Sequence, residues 1–567
     1  MKNGKPCVLG LKCGGNPNGD GHSANAAIKC GNEIVAIQAE RLDRIKKSAG
    51  WKKGTKNFES LTRNDCEFVG IKDCVQYCLD AFGISNQNID LVVTDNIGSY
   101  EEQEKEIRQI IGNICPIVQI SHHLAHAASA FLCSPFSHAA IFVVDGGGGC
   151  LDEFENSFER QSVYVGNGRH IEHLHTTRSN NENVWGIGGA YNIISNILAL
   201  DPGKVMGLAA YGDAERYCRY KILELKNTLD CYLESSVFQG KDQKEVLVTA
   251  GNNVFGMLRR WEENPVDHCW ADLAAKVQLE LEFYMIKICN EIHRITGEKN
   301  LCISGGVGLN SSVNEKIINN TPFEEIFIQP ASDDGGIGLG CALYGDAIIF
   351  SRDRDYVMEN AYLGRSYTTK EIEKSLGVFK NKLSIKKSDN IAVDCANLLA
   401  EGNIVAWFQG KAEYGPRALG HRSLLCDPRS IHLRDVMNVK VKGREWWRPL
   451  APSVLQEYAQ EYFEVKNDSP FMLRVAKVIP EKANLIPGVK HIDNTSRIQT
   501  VTYKDNGIYW ELIRCFYEKT GIPMVLNTSF NICNEPIVET PIDAIESFLR
   551  KPSINYLVLH NFIIRRK

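Results

Sequence analysis

The sequence contains no run of about 18 apolar residues, the length that a membrane-spanning helix needs. It also lacks a charge imbalance, because 64 Lys and Arg residues stand against 69 Asp and Glu residues. A near-neutral chain offers no general electrostatic footprint for nucleic acid or an anionic membrane. These absences predict a protein that neither spans a membrane nor is exported, and whose partners are small molecules rather than nucleic acid.

Paired cysteines are also missing, since no two of the 19 cysteines form a C-x-x-C pair. A zinc module or a disulfide framework is therefore not expected. Cys74 and Cys78 are four residues apart in an amphipathic helical stretch, so we expect them to pack in the core. The pattern predicts a reduced protein of the cytoplasm.

The remaining composition is that of a globular protein, with 44% hydrophobic and 23% charged residues over a length of 567 that suits two large domains. Short apolar strands alternate with helical stretches, which predicts an α/β fold. The strand, turn and strand of residues 8–38 are typical of the hairpin that opens duplicated actin-like, RNase-H-like folds. Residues 351–370 are polar and irregular, so we expect one domain at 1–365 and a second at 366–567.

A first candidate site combines histidines and aspartates. His122 and His126 are spaced by four residues in a helical stretch, which places both imidazoles on one helix face. Asp145 and Asp334 follow apolar strands at glycine-rich turns. Two imidazoles and two carboxylates suit Fe(II), Mn(II) or Zn(II), although Asp beside Gly is also ordinary turn chemistry. We predict a divalent metal site.

Glycine clusters follow several of the predicted strands, at residues 146–149, 186–189, 305–306 and 335–336. Glycine lets the backbone approach a nucleotide with its N–H groups unobstructed. The P-loop pattern G-x-x-x-x-G-K-[ST] is missing, because Gly203-Lys204 and Gly410-Lys411 continue with Val and Ala. Phosphate handling of another design is expected.

The second half of the chain contains a dense run of cationic residues among Pro and Gly turns. Residues 409–429 read QGKAEYGPRALGHRSLLCDPR, and residues 442–452 read KGREWWRPLAP. Guanidinium forks match phosphates, carboxylates and carbamates bidentately. Arg/Glu ion pairs at a domain interface would explain one such arginine equally well. The convergence of several, together with Arg497 and the polar turn at 526–530, predicts an anion site.

In this order the motifs resemble those of the NodU/CmcH/TobZ family of O-carbamoyltransferases, over nearly the whole chain. The matching positions are His122, His126, Asp145 and the segments 203–212, 305–310, 330–336, 409–423 and 448–453. The resemblance implies an α/β fold with a duplicated actin-like (RNase-H-like, ASKHA) N-terminal domain, similar to the tRNA threonylcarbamoyltransferase subunit. It implies a YrdC-like α/β C-terminal domain after it.

The resemblance also implies a division of the chemistry between the two domains. The C-terminal domain would combine carbamoyl phosphate and ATP, the latter with Mg²⁺, into carbamoyl adenylate. The N-terminal domain would transfer the carbamoyl group to a hydroxyl of a small specialised metabolite, as in natural-product biosynthesis. Carried over residue by residue, Fe²⁺ or a similar ion would be held by His122, His126, Asp145 and Asp334. Catalytic roles in activation would fall to Arg417, Lys442 and Arg448.

Contacts to nucleotide and carbamoyl phosphate would come from a larger set, namely Gly146, Gly147, Lys204, Gly305, Gly306, Asn310, Arg497, Asn527 and Ser529. Two segments depart from the family pattern. His22 stands where the family often has Asp, which makes it a candidate base or acceptor contact, or equally a satisfied turn histidine. Arg41, Arg44 and Lys46 remain from a longer family motif and are candidate phosphate or acceptor contacts.

Three other functions compete with this prediction. An actin-like small-molecule kinase would leave the arginine-rich half unexplained. A tRNA threonylcarbamoyl-type enzyme shares both domain types, but the near-neutral charge argues against a tRNA acceptor. A nucleotide- and metal-binding regulator would bind ATP without turnover. The identity of the acceptor, the metal and the general base are not predicted.

Overall fold

The computed structural model describes residues 5–13, 23–49, 52–53, 66–67, 69–151, 157–179, 185–218, 221–233 and 268–567. The chain divides into two compact units. The N-terminal unit comprises Gly4–Lys12 and Ile89–Val357, and the C-terminal unit includes Cys13–Asn88 and Met358–Lys567. The domain division at residue 365 stays a prediction. His22 lies outside the described residues, so its predicted role also stays a prediction.

The strands of both units, in chain order, are β1 Cys7–Lys12, β2 Asn25–Cys30, β3 Glu33–Gln38, β4 Lys52–Lys53, β5 Cys66–Glu67, β6 Leu91–Asp95, β7 Ile117–Ile120, β8 His138–Val144, β9 Cys150–Leu151, β10 Ser157–Asn167, β11 His170–Ser179, β12 Leu223–Leu225, β13 Cys231–Leu233, β14 Asn300–Ser304, β15 Glu325–Ile328, β16 Leu383–Lys387, β17 Val405–Phe408, β18 Arg422–Cys426, β19 Ala451–Leu455, β20 Phe463–Glu464, β21 Arg474–Val478, β22 Thr495–Val501, β23 Met524–Ser529, β24 Tyr556–Leu559 and β25 Phe562–Arg566.

The α-helices, in chain order, are α1 Ala39–Asp43, α2 Val69–Phe82, α3 Tyr100–Ile111, α4 His122–Phe131, α5 Ile187–Ile197, α6 Pro202–Ala209, α7 His268–Thr296, α8 Ser311–Asn320, α9 Ile337–Tyr344, α10 Thr369–Val378, α11 Ile391–Ala400, α12 Ile431–Asp435, α13 Ala459–Tyr462, α14 Gly507–Thr520 and α15 Pro541–Arg550. None of these described helices combines the length and the apolar character that crossing a bilayer requires.

The N-terminal unit contains two parallel strand groups of the same kind. Strands β1, β6 and β7 pair in parallel, and so do β8, β14 and β15. The antiparallel pair β10 and β11 extends the second group beside β8. Strands β1 and β8 are apolar along almost their whole length because parallel strands are covered on both faces. This repeat confirms the predicted α/β class with a duplicated, actin-like N-terminal part.

The C-terminal unit is built on one mixed ten-stranded sheet, in the order β16-β25-β24-β17-β18-β23-β19-β22-β21-β20. Its core is aromatic and aliphatic, and it includes the fully buried Trp407, Phe408, Phe516 and Phe530. The hairpin of β2 and β3 belongs to the same unit. The predicted α/β C-terminal domain is therefore confirmed.

The cysteines follow the sequence expectation in part. Cys74 and Cys78 are free and buried on α2, as expected. Cys7 and Cys30 are disulfide-bonded, so the expectation of a wholly reduced chain is wrong for these two residues. The missing C-x-x-C pair excluded only local pairing, because a disulfide depends on the distance in space between two residues rather than on their spacing in sequence.

Helix α9 packs at backbone distance against its neighbours in the N-terminal unit. A Cβ atom at Gly340 would overlap the carbonyl oxygen of Ala125 on α4, and one at Gly10 on β1 would overlap the carbonyl oxygen of Gly338. Only glycine permits such an approach without moving backbone. The position of α4, which carries both candidate histidine ligands, therefore depends on small residues of α9.

We expect Gly340→Ala to destabilise the protein by about 1–3 kcal/mol, because the added methyl group must displace the backbone of α4. The matched control is Gly377→Ala on α10, where a Cβ would meet no atom within 4 Å. That change should be neutral or stabilise by up to about 1 kcal/mol. Urea unfolding of the two variants measures the difference, and equal effects would contradict the packing described.

Candidate functional site

Helix α4 starts directly after β7 and brings two imidazoles together. Its N-cap is Ser121, whose hydroxyl oxygen accepts the N–H of Leu124 at 3.3 Å. His122 and His126 are one turn apart, and their ring centroids lie 4.8 Å from each other. Both side chains are buried. The predicted placement of the two histidines on one helix face is thus present in the structure.

Two carboxylates face these imidazoles, one directly after a strand and one in a turn before a helix. Asp145 follows β8 directly, and Asp334 opens the short turn before α9. The Nε2 atom of His122 lies 3.6 Å from Asp145 Oδ2 and 3.5 Å from Asp334 Oδ1. The Nε2 atom of His126 lies 4.0 Å and 3.6 Å from the same two oxygens. One donor atom from each of the four residues lies within 4.8 Å of the others, which is a buried group that could hold a metal ion.

The donor atoms of this group fit a divalent cation. Among the described residues, His122 Nε2 and His126 Nε2 are buried and have no hydrogen-bond partner. Buried polar atoms are rarely left unpaired, and two imidazoles with two carboxylates are a mixed N/O donor set for Fe(II), Mn(II) or Zn(II). We call His122, His126, Asp145 and Asp334 the His/Asp group.

The second oxygen of each carboxylate is already engaged. Asp334 Oδ2 lies 3.2 Å from Lys12 Nζ, and Asp145 Oδ1 accepts the N–H of Gly306 at 2.8 Å. Each carboxylate therefore has one oxygen facing the imidazoles. Burial lowers the pKa of Lys12, but the charges of Asp334 and Asp95 outweigh it and keep the ammonium protonated.

Further residues orient the imidazoles. Asp95 Oδ2 lies 2.7 Å from His122 Nδ1, and Ser304 Oγ lies 3.1 Å from His126 Nδ1. Such partners hold a ring so that its other nitrogen faces the centre. Burial lowers the pKa of His122, but the charge of Asp334 and the nearby carboxylates of Asp145 and Asp95 raise it well above its usual range. Sequence reasoning missed Lys12, Asp95 and Ser304, although each ends a buried strand, which is the signal shared with Asp145.

The residues of the N-terminal unit that are predicted to contact a nucleotide lie in different local environments. Gly305 has φ +93°, and a Cβ there would overlap Val144, so the turn beside Asp145 requires glycine. Asn310 caps α8 by accepting the N–H of Val313 at 3.1 Å, and its amide donates to Gln278 at 2.9 Å. Lys204 lies 3.9 Å from Asp201. Gly146 and Gly147 are half-buried after β8. Nucleotide contacts by these residues stay predictions.

The predicted anion site of the C-terminal unit occupies one edge of the ten-stranded sheet. Strands β18, β23 and β19 pair antiparallel in turn, and β22 runs parallel to β19. The start of β18, β19 and β22 and the end of β23 therefore meet at the same edge. Here the structure brings together Arg417, Lys442, Arg448, Arg497, Asn527 and Ser529, as well as Arg444, which the sequence prediction left out.

Several cationic side chains are crowded together at this edge of the sheet. Burial lowers the pKa of Arg497, and the neighbouring charges of Arg417, Arg444 and Arg448 lower it further. Burial and the charge of Arg448 lower the pKa of Arg444 to about 9. The same causes, with Arg444 and Lys46 as neighbours, hold the pKa of Lys442 well below its usual range. A bound anion would relieve this repulsion. We call Arg417, Lys442, Arg444, Arg448 and Arg497 the cationic cluster.

Hydrogen bonds arrange the polar residues of this edge. Lys442 Nζ donates to Ser529 Oγ at 3.1 Å and to Asn531 Oδ1 at 2.6 Å. Asn527 is buried, and its amide donates to Ala418 O at 3.1 Å and Ser453 Oγ at 2.9 Å. Asn527 therefore secures the loop that carries Arg417. Its predicted contact with a nucleotide, like that of Ser529, stays a prediction.

Comparisons with known proteins decide the family. Models of the carbamoyltransferase N-terminus and C-terminus match residues 106–343 and 396–566. An uncharacterized protein of Synechocystis sp. is 31% identical over 96% of this chain and 95% of its own. The chain belongs to the carbamoyltransferase family. It is therefore an enzyme that transfers carbamoyl groups, as the sequence predicted.

Two relatives with descriptive names and one solved structure are similar to this carbamoyltransferase. Nodulation protein NolNO of Sinorhizobium fredii is 32% identical over 97% of this chain and 80% of its own. The 3'-hydroxymethylcephem-O-carbamoyltransferase of Streptomyces clavuligerus is 33% identical over 43% of this chain and 45% of its own. Among solved structures, HypF in its phosphate- and nucleotide-bound form aligns at TM-score 0.35 and 12% identity over 61% of this chain and 56% of that chain.

We expect the carbamoyltransferase to bind one Fe(II), Mn(II) or Zn(II) ion, and His126→Ala to lose that binding because one of four donors is removed. Protons compete with metal for His122, whose pKa is raised, so affinity should fall as pH is lowered. Calorimetric titration and the rise in melting temperature on adding metal measure both effects.

The matched control is His123→Gln on the same helix, because His123 Nδ1 contacts Ser162 Oγ at 2.7 Å instead of the centre. This variant should retain the metal-dependent rise in melting temperature. A His126→Ala variant that binds metal as tightly as the unmodified protein would show that the His/Asp group is not the metal site.

Proposed function

We propose that this carbamoyltransferase activates carbamoyl phosphate with ATP in the C-terminal unit and transfers the carbamoyl group to a hydroxyl of a small metabolite in the N-terminal unit. The observation that carries the proposal is the crowding around Arg497, whose guanidinium has three further guanidiniums as charged neighbours. Like charges at one buried site are costly unless an anion binds between them. Carbamoyl phosphate and the phosphates of ATP supply such anions.

The activation step follows from this charge distribution. Phosphate leaves carbamoyl phosphate with the uptake of water, and an oxygen of the resulting carbamate displaces pyrophosphate from the α-phosphorus of ATP. The products are carbamoyl adenylate, pyrophosphate and phosphate. Negative charge grows on the departing pyrophosphate, and Arg417, Lys442 and Arg448 would stabilise it. Guanidinium forks also hold the two reactants in line for displacement.

The transfer step belongs to the His/Asp group of the N-terminal unit. The acceptor oxygen attacks the carbonyl carbon of the adenylate, the bond to AMP breaks with its electron pair, and the hydroxyl proton is lost. A divalent ion held by His122, His126, Asp145 and Asp334 would supply positive charge that stabilises the departing phosphate of AMP. Asp95 and Ser304 keep the two imidazoles oriented, and Lys12 keeps one oxygen of Asp334 away from the centre.

The acceptor is proposed to be a hydroxylated small molecule. The Streptomyces clavuligerus relative acts on the hydroxymethyl group of a cephem, as its name states. The net charge of −5 of the present chain also gives no general attraction for a nucleic-acid acceptor. Loops around the site decide which hydroxyl is accepted.

The test is pyrophosphate release from ATP by the purified protein, with and without carbamoyl phosphate. Release should require carbamoyl phosphate. Arg417→Ala should reduce it by about a hundredfold, because one stabilising donor of the growing charge is lost. His126→Ala should leave it within about twofold, since the two residues belong to different units.

Each outcome discriminates between functions. Pyrophosphate release without carbamoyl phosphate would overturn the proposal, and formation of ADP in place of pyrophosphate would favour an actin-like kinase. ATP binding without any release, in a folded and metal-loaded protein, would favour a regulator. Equal loss in Arg417→Ala and His126→Ala would contradict the separation of activation from transfer.

A further inference from the structure

Two arginines near the start of the chain contact the parts of the C-terminal unit that carry the cationic cluster. Arg41 lies in α1, and Arg44 follows α1 with φ 64°. Arg41 is only 1% exposed, whereas the side chain of Arg44 is 23% exposed. Both are candidate contacts to phosphate or acceptor from the sequence, and that role stays a prediction. In the structure both donate hydrogen bonds to backbone carbonyls.

Arg41 holds the loop that carries Arg417. Its Nη2 donates to Gly415 O at 2.7 Å and to Glu413 O at 3.4 Å. The same loop is closed from within, because Glu413 Oε1 accepts the N–H groups of Leu419 at 2.7 Å and His421 at 2.8 Å. Backbone carbonyls next to Arg417 are therefore fixed by a guanidinium from α1.

Arg44 holds the segment that orients Lys442. Its Nη1 donates to Ile537 O at 2.6 Å, and its Nη2 donates to Pro536 O at 3.0 Å. In the same segment, the amide of Asn531 donates to Glu535 O at 2.6 Å. Asn531 Oδ1 in turn accepts from Lys442 Nζ at 2.6 Å.

The bonding of Arg44 leaves it little capacity for a substrate anion. Both terminal nitrogens donate to backbone carbonyls, and Glu535 and Asp543 lie 3.7 Å and 3.9 Å from its guanidinium. Two nearby carboxylates already offset its charge, so an anion would gain little from approaching it. Lys46 differs, because it is exposed and its charge acts on Lys442.

We propose that Arg41 and Arg44 are positioning residues of the activation site, which hold the Arg417 loop and the 531–537 segment in their working geometry, and that Arg44 does so without touching substrate. The inference rests on the proposed function of the cationic cluster. It means that the activation site of the C-terminal unit is completed by residues from the first tenth of the chain. A displacement of about 1 Å in such a site lowers the rate by up to about a hundredfold.

The test uses the full-length protein with Arg44→Ala, because Arg44 is partly exposed and its replacement leaves the core intact. We expect carbamoyl phosphate-dependent pyrophosphate release to fall by about a hundredfold. Added methylguanidine should restore much of the lost rate by occupying the vacated position, whereas a general loss of stability would not be restored. The matched control is Arg566→Ala, since Arg566 also donates to backbone carbonyls, including Ile554 O at 2.8 Å, at the end of β25. It should keep its rate.

A double-mutant cycle with Asn531→Ala separates positioning from direct contact. If Arg44 acts through the 531–537 segment, Arg44→Ala with Asn531→Ala should be no slower than the worse single variant. Multiplied effects of the two changes would overturn the inference in favour of direct substrate contact. A normal rate in Arg44→Ala, with release intact in the unmodified protein, would overturn it as well. No release in the unmodified protein would instead refute the proposed function.

Discussion

The repulsion between like charges that are held together out of water is the constraint on which both candidate sites depend. In the N-terminal unit, burial and the charge of Asp334 both raise the pKa of Asp145, but the adjacent His122 and His126 outweigh them and lower it below its usual range. In the C-terminal unit, guanidiniums are neighbours of one another. Each arrangement is costly unless a charge of opposite sign is present. One centre therefore suits a cation and the other suits anions.

In the N-terminal unit, the fold places most of the charged groups of the site at strand ends or on helix α4. Asp95, Asp145 and Ser304 lie at or just after the carboxyl ends of parallel strands, which is where α/β folds place ligands. In the C-terminal unit, mixed pairing brings four strand ends to one edge. Uncharged groups then orient the charged side chains by hydrogen bonds. Gly306 N–H donates to Asp145, and Asn531 accepts from Lys442. In the proposed reaction the donor is anionic and an anion is expelled, so both kinds of centre would have a role.

Local patterns in the sequence were sufficient to predict the features that depend on helical spacing and on the position of a residue after an apolar strand. The i,i+4 spacing of His122 and His126 and the apolar runs before Asp145 gave three of the four members of the His/Asp group, and the strand end before Asp334 gave the fourth. Lys12 was not predicted, because a lysine at the end of a buried strand indicates no particular role by itself. Its role follows from its contacts with Asp95 and Asp334, which only the structure shows. The bonds of Arg41 to residues 372 and 374 positions away depend on tertiary structure, so no spacing rule could reveal them. For Arg44, the type of residue indicated a phosphate or acceptor as its partner, and in the structure it donates to two backbone carbonyls and lies beside two carboxylates of the protein.

The central claim is that activation and transfer are separate steps served by oppositely charged centres. Its most direct test is to look for carbamoyl adenylate itself, by rapid quenching and mass spectrometry, in the His126→Ala protein supplied with ATP and carbamoyl phosphate but no acceptor. We expect the adenylate to accumulate to an amount comparable with the enzyme. If no adenylate forms while the unmodified protein still consumes ATP and carbamoyl phosphate, the two centres act in one step and activation is not separate from transfer.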